Sequence, residues 1–303
     1  MLVWVPYQEF ADALAGIAGV RAEVVDPGDG EPPESAAEVE FYVLPAFPRE
    51  AALAAMAAMP RLRVVQTLTA GVDRVLPRVP AGVTLCNARG AHDASTAEWV
   101  VAGTLAVIRE LPFFLAEQAK GSWTPRFTGT LAGRTVLIVG YGSIGAAVER
   151  RLAGFGVEIV RVARRPRNGV HGAADLPALL PQADVVILLV PVTRETEGMV
   201  DAGFLGAMKN GATLVNAARG SLVSTGALCA ELSAGRLRAV LDVTDPEPLP
   251  PGHPLWAAPN VLITPHVAAT TGHSAAALAE LVAAQVRRWA RGEPLVNQIG
   301  GEY

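Results

Sequence analysis

The stretch Thr135-Val136-Leu137-Ile138-Val139-Gly140-Tyr141-Gly142-Ser143-Ile144-Gly145 decides how this chain is read. Its first five residues are mostly β-branched and apolar, the composition of a strand. The glycines follow directly in the order G-x-G-x-x-G, and an alanine-rich helical stretch over 143–155 comes next. A glycine-rich turn with no ligand can carry the same letters, but strand, then glycines, then helix is the context a dinucleotide fingerprint demands. Gly140 permits the tight turn, Gly142 lets the backbone approach a pyrophosphate, and Gly145 lets helix and strand pack closely. The amides of Ser143 and Ile144, at the helix start, then face an anion.

The following strand, over 157–163, leads into Val162-Ala163-Arg164-Arg165-Pro166-Arg167. A NAD-specific site usually carries an acid there, about 20 residues beyond the first glycines, to accept from the ribose hydroxyl. Between Glu158 and Asp175 this chain has none. Arg164 and Arg165 can clamp a ribose 2′-phosphate instead. NADP(H) is therefore the preferred cofactor and NAD(H) the alternative; the bland reading is two arginines that solvate a loop.

Outward from the fingerprint, apolar strands recur at 185–190, 213–216, 239–243 and 261–264, with helices at 175–180 and 225–233. Near-continuous apolar strands alternating with helices predict an α/β fold, a doubly wound parallel sheet of the Rossmann kind. The first third repeats the alternation on a smaller scale. Strands are expected at 2–5, 41–44, 64–67 and 83–86, helices at 8–15 and 50–59, and a Gly/Pro-rich loop at 28–33. Residues 96–110 are apolar nearly all round, which predicts a helix buried on several sides, between domains or at a subunit contact. An irregular connector is expected at 120–133. The last helix, about 274–291, is expected to pack back on the first domain. The division that follows is a substrate-binding domain, 1–95 plus 274–303, and a dinucleotide-binding domain, 96–273.

Composition agrees with two packed domains. The chain has 303 residues, 51% hydrophobic and 18% charged, with 25 Lys+Arg against 29 Asp+Glu. A net charge of −4 argues against a general nucleic-acid binder, which needs a basic face. The most apolar runs, 185–190 and 99–108, are about half the ~20 residues of a membrane-spanning helix. Met1-Leu2-Val3-Trp4-Val5-Pro6 lacks the charged region of a signal peptide. Cys86 and Cys229 make neither a disulfide framework nor a structural metal site. A cytoplasmic protein with no membrane or metal partner is the expectation.

Three downstream segments place polar residues at strand ends, where open α/β sheets bind ligands. They are Asn216-Ala217-Ala218-Arg219-Gly220, Leu241-Asp242-Val243-Thr244-Asp245-Pro246-Glu247-Pro248 and Ile263-Thr264-Pro265-His266. At these residues the chain resembles the D-2-hydroxyacid dehydrogenase family. The resemblance extends to Thr69-Ala70-Gly71-Val72-Asp73, Ala97-Glu98, Pro191-Val192-Thr193 with Thr196, and Pro254-Leu255-Trp256.

That resemblance implies an oxidoreductase that interconverts a small 2-oxo acid and its 2-hydroxy acid, with a second, smaller flavodoxin-like α/β domain holding substrate. Arg219 would bind the substrate carboxylate and polarise the carbonyl. His266 would donate the proton, since imidazole titrates near neutral pH. Glu247 on the other ring nitrogen would favour the imidazolium. Backbone amides around Ala70 and Gly71 would hold the substrate carboxylate. Pro191, Thr196, Ala217 and Asp242 would lie along the cofactor, Asp242 toward the nicotinamide carboxamide. The arginines at 164 and 165 resemble the NADPH-preferring glyoxylate/hydroxypyruvate reductase branch. A homodimer is also implied. Two departures stand out: Thr244 where an aromatic is common, and Ser224-Thr225 where acids are common. A catalytically weak, nucleotide-binding regulator on the same fold is the competing reading.

Overall fold

In the computed structural model, residues 1–27 and 32–300 are described, and they form two compact units. The first comprises Met1–His92 and Gly272–Tyr303, the second Asp93–Thr271. Part of the expected 28–33 loop lies outside the described residues.

The first unit alternates β1 (Leu2–Val5), α1 (Gln8–Leu14), β2 (Arg21–Val24), β3 (Val39–Val43), α2 (Glu50–Ala54), β4 (Val64–Gln66) and β5 (Thr84–Cys86). All strands are parallel, in the order β2-β1-β3-β4-β5, the flavodoxin-like arrangement. β2 was not expected from the sequence: Arg-Ala-Glu-Val is an edge strand with two exposed positions, so its apolar signal is weak. The helix expected over 50–59 is α2 followed by a 3-10 turn, Ala55–Ala58.

The second unit opens with α3 (Asp93–Ile108) and α4 (Leu111–Ala119), then β6 (Thr135–Val139), α5 (Ser143–Leu152), β7 (Glu158–Val162), α6 (Leu176–Leu179), β8 (Val185–Leu188), α7 (Ala202–Ala207), β9 (Thr213–Asn216), α8 (Thr225–Ser233), β10 (Arg238–Leu241) and β11 (Val261–Ile263). Its sheet is parallel in the order β11-β10-β9-β8-β6-β7. A single parallel bridge, Val162 to His171, extends it beyond β7, where the third strand of the usual 3-2-1-4-5-6 order would lie. The order reverses between β6 and β8, and that crevice is where such sheets bind nucleotides.

α3 is buried because it is apolar on most sides: Ala97, Val100, Val107 and Ile108 pack with Val136, Ile138, Val148, Val215 and Val240. It begins three residues before the expected start. The sequence predicts neither α4 nor α7. α4 starts after Glu110 in a left-handed conformation, carries Pro112 in its first turn and presents no buried residue. α7 carries two glycines in six residues and is held by the Asp201 carboxylate, which accepts from the Phe204 amide at 2.8 Å. The last helix, α9 (Gly272–Ala290), packs on α1 within the first unit through Leu278, Val282, Ala283 and Val286 against Phe10 and Leu14. Among the described residues, no single helix is long and apolar enough to cross a membrane.

Candidate active site

The fingerprint occupies the turn from β6 to α5. Gly140 has φ +105°, and a Cβ there would sit 2.5 Å from the Leu189 carbonyl carbon, so the backbone of the loop after β8 leaves room only for glycine. At Gly142, by contrast, a Cβ would meet nothing within 4 Å, the open approach that a phosphate requires. No side chain caps α5. Its first amides, from Ser143, Ile144 and Gly145, have no intrahelical partner and are suited to an anion. The Ser143 hydroxyl donates to Asp93 at 3.1 Å. These residues fit a dinucleotide pyrophosphate.

Beyond β7 the chain turns back on itself. The Ala163 amide donates to the His171 carbonyl at 3.0 Å, and Arg167 and Val170 exchange both backbone hydrogen bonds. Arg164 and Arg165 are both exposed on this loop. The Arg164 guanidinium lies 3.8 Å from Glu195, on the loop after β8. That loop closes on itself: the Thr196 hydroxyl donates to Pro191 O at 2.7 Å and accepts from the Thr193 amide at 2.8 Å.

The polar residues of the three downstream segments follow β9, β10 and β11 at one edge of the sheet. Asn216 ends β9 and is buried; its side chain accepts from the Ala218 amide at 3.0 Å and donates to the Arg219 carbonyl at 2.8 Å. It thereby shapes the turn that carries Ala217 and Arg219. The Arg219 guanidinium donates to Ala218 O at 2.8 Å. The next residue, Gly220, touches the segment after β10 so closely that an added Cβ would overlap the Thr244 carbonyl.

Asp242, just past β10, is only 3% exposed. Its carboxylate accepts from the Thr264 hydroxyl at 2.6 Å, the Val267 amide at 2.9 Å and the Ala268 amide at 2.8 Å, while its carbonyl accepts from the His266 amide at 2.8 Å. Asp242 is therefore an internal clamp on the loop bearing His266. That loop needs one, because His266 has φ +54°, a left-handed conformation that costs a residue with a Cβ.

His266 Nδ1 lies 2.6 Å from Glu247 Oε1. The side chains are 30% and 40% exposed, so the pair sits at the surface and not in the core. The hydrogen bond from His266 holds the Glu247 carboxyl below its usual range, against partial burial, which pushes it up; the nearby charges of His266 and Arg219 add to the lowering. The influence of Arg219 on Glu247 places all three groups of the expected constellation in one electrostatic neighbourhood. The contact engages the Nδ1 side of the imidazole and fixes the orientation of the ring.

Ala70 and Gly71 belong to the first unit, on the segment after β4. There the Ala70 carbonyl accepts from Asn87 Nδ2 at 2.7 Å, and the Gly71 carbonyl from the Thr69 hydroxyl at 2.8 Å. Asn216 and Thr264 belong to the polar strand-end segments of the sequence, which gives them no supporting role of their own. Their position at the end of an apolar strand marks them as polar, and only the folded turns show what each one holds. His92 and His253 are tied to backbone: His92 Nε2 contacts Leu68 O at 2.8 Å, and His253 Nδ1 accepts from the Leu255 amide at 3.2 Å.

Comparison with known proteins agrees with this architecture. Residues 101–268 match the family model for the D-isomer specific 2-hydroxyacid dehydrogenase, NAD binding domain. A glyoxylate reductase of Thermofilum pendens is 36% identical over 261 residues, covering 80% of this chain and 77% of that protein. The human glyoxylate reductase/hydroxypyruvate reductase is 33% identical, covering 80% and 78%. Among solved structures, a D-isomer specific 2-hydroxyacid dehydrogenase from Xanthobacter autotrophicus Py2 in complex with NADPH and MES superposes with a TM-score of 0.85 at 32% identity, covering 99% of this chain and 97% of that one. Fold, fingerprint and overall similarity lead to one conclusion: the chain is an oxidoreductase that belongs to the D-isomer specific 2-hydroxyacid dehydrogenase family.

Proposed function

We propose that this protein reduces a small 2-oxo acid of the glyoxylate or hydroxypyruvate kind to the 2-hydroxy acid, with NADPH preferred over NADH. The observation that carries the reading is the contact of His266 with Glu247 beside Arg219. Names of relatives point the same way, and an NADPH-dependent glyoxylate/hydroxypyruvate reductase from Sinorhizobium meliloti, solved in complex with NADP and malonate, has a TM-score of 0.83 at 27% identity.

When bound, the reduced nicotinamide supplies the hydride that reaches the carbonyl carbon. Pro191, Thr196 and Ala217, on the loops after β8 and β9, line its side of the site, and Arg164 and Arg165 take the ribose 2′-phosphate. Arg219 binds the substrate carboxylate and polarises the carbonyl as a fixed cationic donor. His266 gives a proton from Nε2 to the carbonyl oxygen, and Glu247 keeps the imidazolium oriented through Nδ1. Asp242 acts through the His266 loop it holds. Ala70 and Gly71 contribute main-chain amides to the substrate carboxylate. Oxidation of the hydroxy acid runs the same steps backward, with neutral His266 as the base.

The protein works as a homodimer on this reading. Leu115, Trp123 and Phe127 expose apolar surface on and after α4, with Trp123 96% and Phe127 104% exposed, and a second copy would cover it. The deciding experiment is a screen of glyoxylate, hydroxypyruvate, pyruvate and bulkier 2-oxo acids with NADPH and NADH, followed at the nicotinamide absorbance. Turnover of the small acids supports the reading. Tight cofactor binding without turnover across the panel would favour the regulator.

A further inference from the structure

Tyr141, the first variable residue of the fingerprint, makes its connections toward β7. Its amide and that of Gly140 both donate to Val162 O, at 2.8 and 2.9 Å. Its carbonyl accepts from the Arg167 guanidinium at 2.9 Å. The Arg161 and Arg167 guanidinium carbons lie 5.6 and 5.7 Å from the centre of its ring, within cation–π range. Its hydroxyl donates to Glu149 of α5, which in turn takes both the Nε and NH2 groups of Arg161. The loop at the pyrophosphate position and the loop at the ribose position are thus joined at two places. One is a mixed backbone and side-chain core around Val162 and Arg161. The other is the exposed side chain of Arg167, reaching back from beyond the ribose segment.

A dinucleotide spans both loops through one adenosine ribose, so the spacing between the two anion subsites must be held before binding if affinity is not to be lost in ordering them. We propose that Arg167 is a positioning residue for the cofactor. By donating to the Tyr141 carbonyl and stacking on its ring, it sets the spacing of the fingerprint loop from the Arg164-Arg165 segment. It acts on whatever dinucleotide binds and not on the 2′-phosphate. The inference rests on the dinucleotide reading of the fingerprint and separates Arg167 from the two arginines before it, which the same reading assigns to the phosphate.

The test compares dissociation constants of NADPH and NADH, measured by fluorescence on the full chain, for wild type, R167A, Y141A, the double variant and R164A. R167A is expected to weaken both cofactors by a similar factor, about three- to tenfold, with an unchanged thermal midpoint. Y141A removes the stacking surface and keeps the carbonyl, so the loss in the double variant should be smaller than the product of the two single losses. Y141F keeps the ring and the carbonyl, and R167A should cost the same in that background. Loss of NADPH affinity alone in R167A would make Arg167 a phosphate ligand and overturn the proposal. Unchanged affinity for both cofactors, or fully additive losses with Y141A, would overturn it as well. The phosphate reading is judged separately: it fails if R164A weakens NADPH and NADH equally, and the Arg167 result still stands on the NADH values.

Discussion

His266 and Glu247 stand 19 residues apart in sequence, and their side chains meet at 2.6 Å. They follow neighbouring parallel strands, β11 and β10, whose C-terminal ends lie side by side. The contact is therefore a product of strand order. It commits the Nδ1 side of the imidazole to the carboxylate, which orients the ring that the proposed reaction uses as proton donor.

Replacing His266 by alanine should lower kcat by about 10²- to 10⁴-fold, the usual worth of a general acid. NADPH affinity should change less than about twofold, because His266 is not among the residues assigned to the cofactor. Steady-state kinetics and fluorescence titration on the same preparation check both halves. Undiminished turnover would remove His266 from the reaction.

The His266–Glu247 pair also has a pH signature. Glu247 has its folded-state pKa lowered, first by the hydrogen bond from His266. A lowered carboxyl pKa contributes stability that is present above the unfolded carboxylate value, about 4.3, and is lost as pH falls through the folded value. Thermal midpoints of wild type and E247Q should therefore differ above about pH 5 and converge in more acidic buffer. The difference should be small, since Glu247 is 40% exposed and solvent screens the pair.

Arg219 is predicted to tolerate no cationic substitute. R219K keeps the charge and loses the planar fork, so kcat/KM should fall by about 10²-fold or more, with KM for the 2-oxo acid rising. Retention of wild-type KM in R219K would show that the carboxylate is held elsewhere.

Substitution of Arg164 should change cofactor choice more than catalysis. R164A should weaken NADPH by about tenfold and leave NADH nearly unchanged, because only one of them carries the phosphate. The ratio of kcat/KM for the two cofactors reads this directly.

Two glycines should prove intolerant of a single methyl group. G140A places a carbon 2.5 Å from the Leu189 carbonyl carbon in a backbone with φ +105°. G220A drives one into the Thr244 carbonyl, between the Arg219 turn and the Glu247 segment. Each should cost about 1–3 kcal/mol of stability, visible as a lower denaturation midpoint. G220A should also reduce activity, since Arg219 and Glu247 are displaced with the backbone. G142A, which meets nothing within 4 Å, should fold normally and weaken cofactor binding.

Much of this molecule is legible in its letters because the relevant signals are local. Thr135–Val139 followed by its glycines is a strand and turn by steric rule, and the apolar runs that became β8 and β9 need burial on both faces. Elements with weak local signals are not legible: the half-exposed edge strand β2 and the glycine-bearing α7. α4 is apolar, but Pro112 near its start and the left-handed Glu110 before it break the helical pattern that α3 begins. Asp242 was readable as a polar residue at a strand end. Its work as a clamp on the His266 loop was not, because three of its hydrogen-bond donors lie 22 to 26 residues away.

By itself, then, the amino-acid order determined the parallel α/β class, the fingerprint turn, the lack of an acid at the ribose position and the three polar segments, since each depends on neighbours in the chain. The tertiary structure decided which of those polar groups meet. Hydrogen bonding between parallel strands sets β9, β10 and β11 side by side. Only that lateral order brings Glu247 to the imidazole of His266 and Asp242 beneath its loop, and sequence separation carries no information about distances across a sheet.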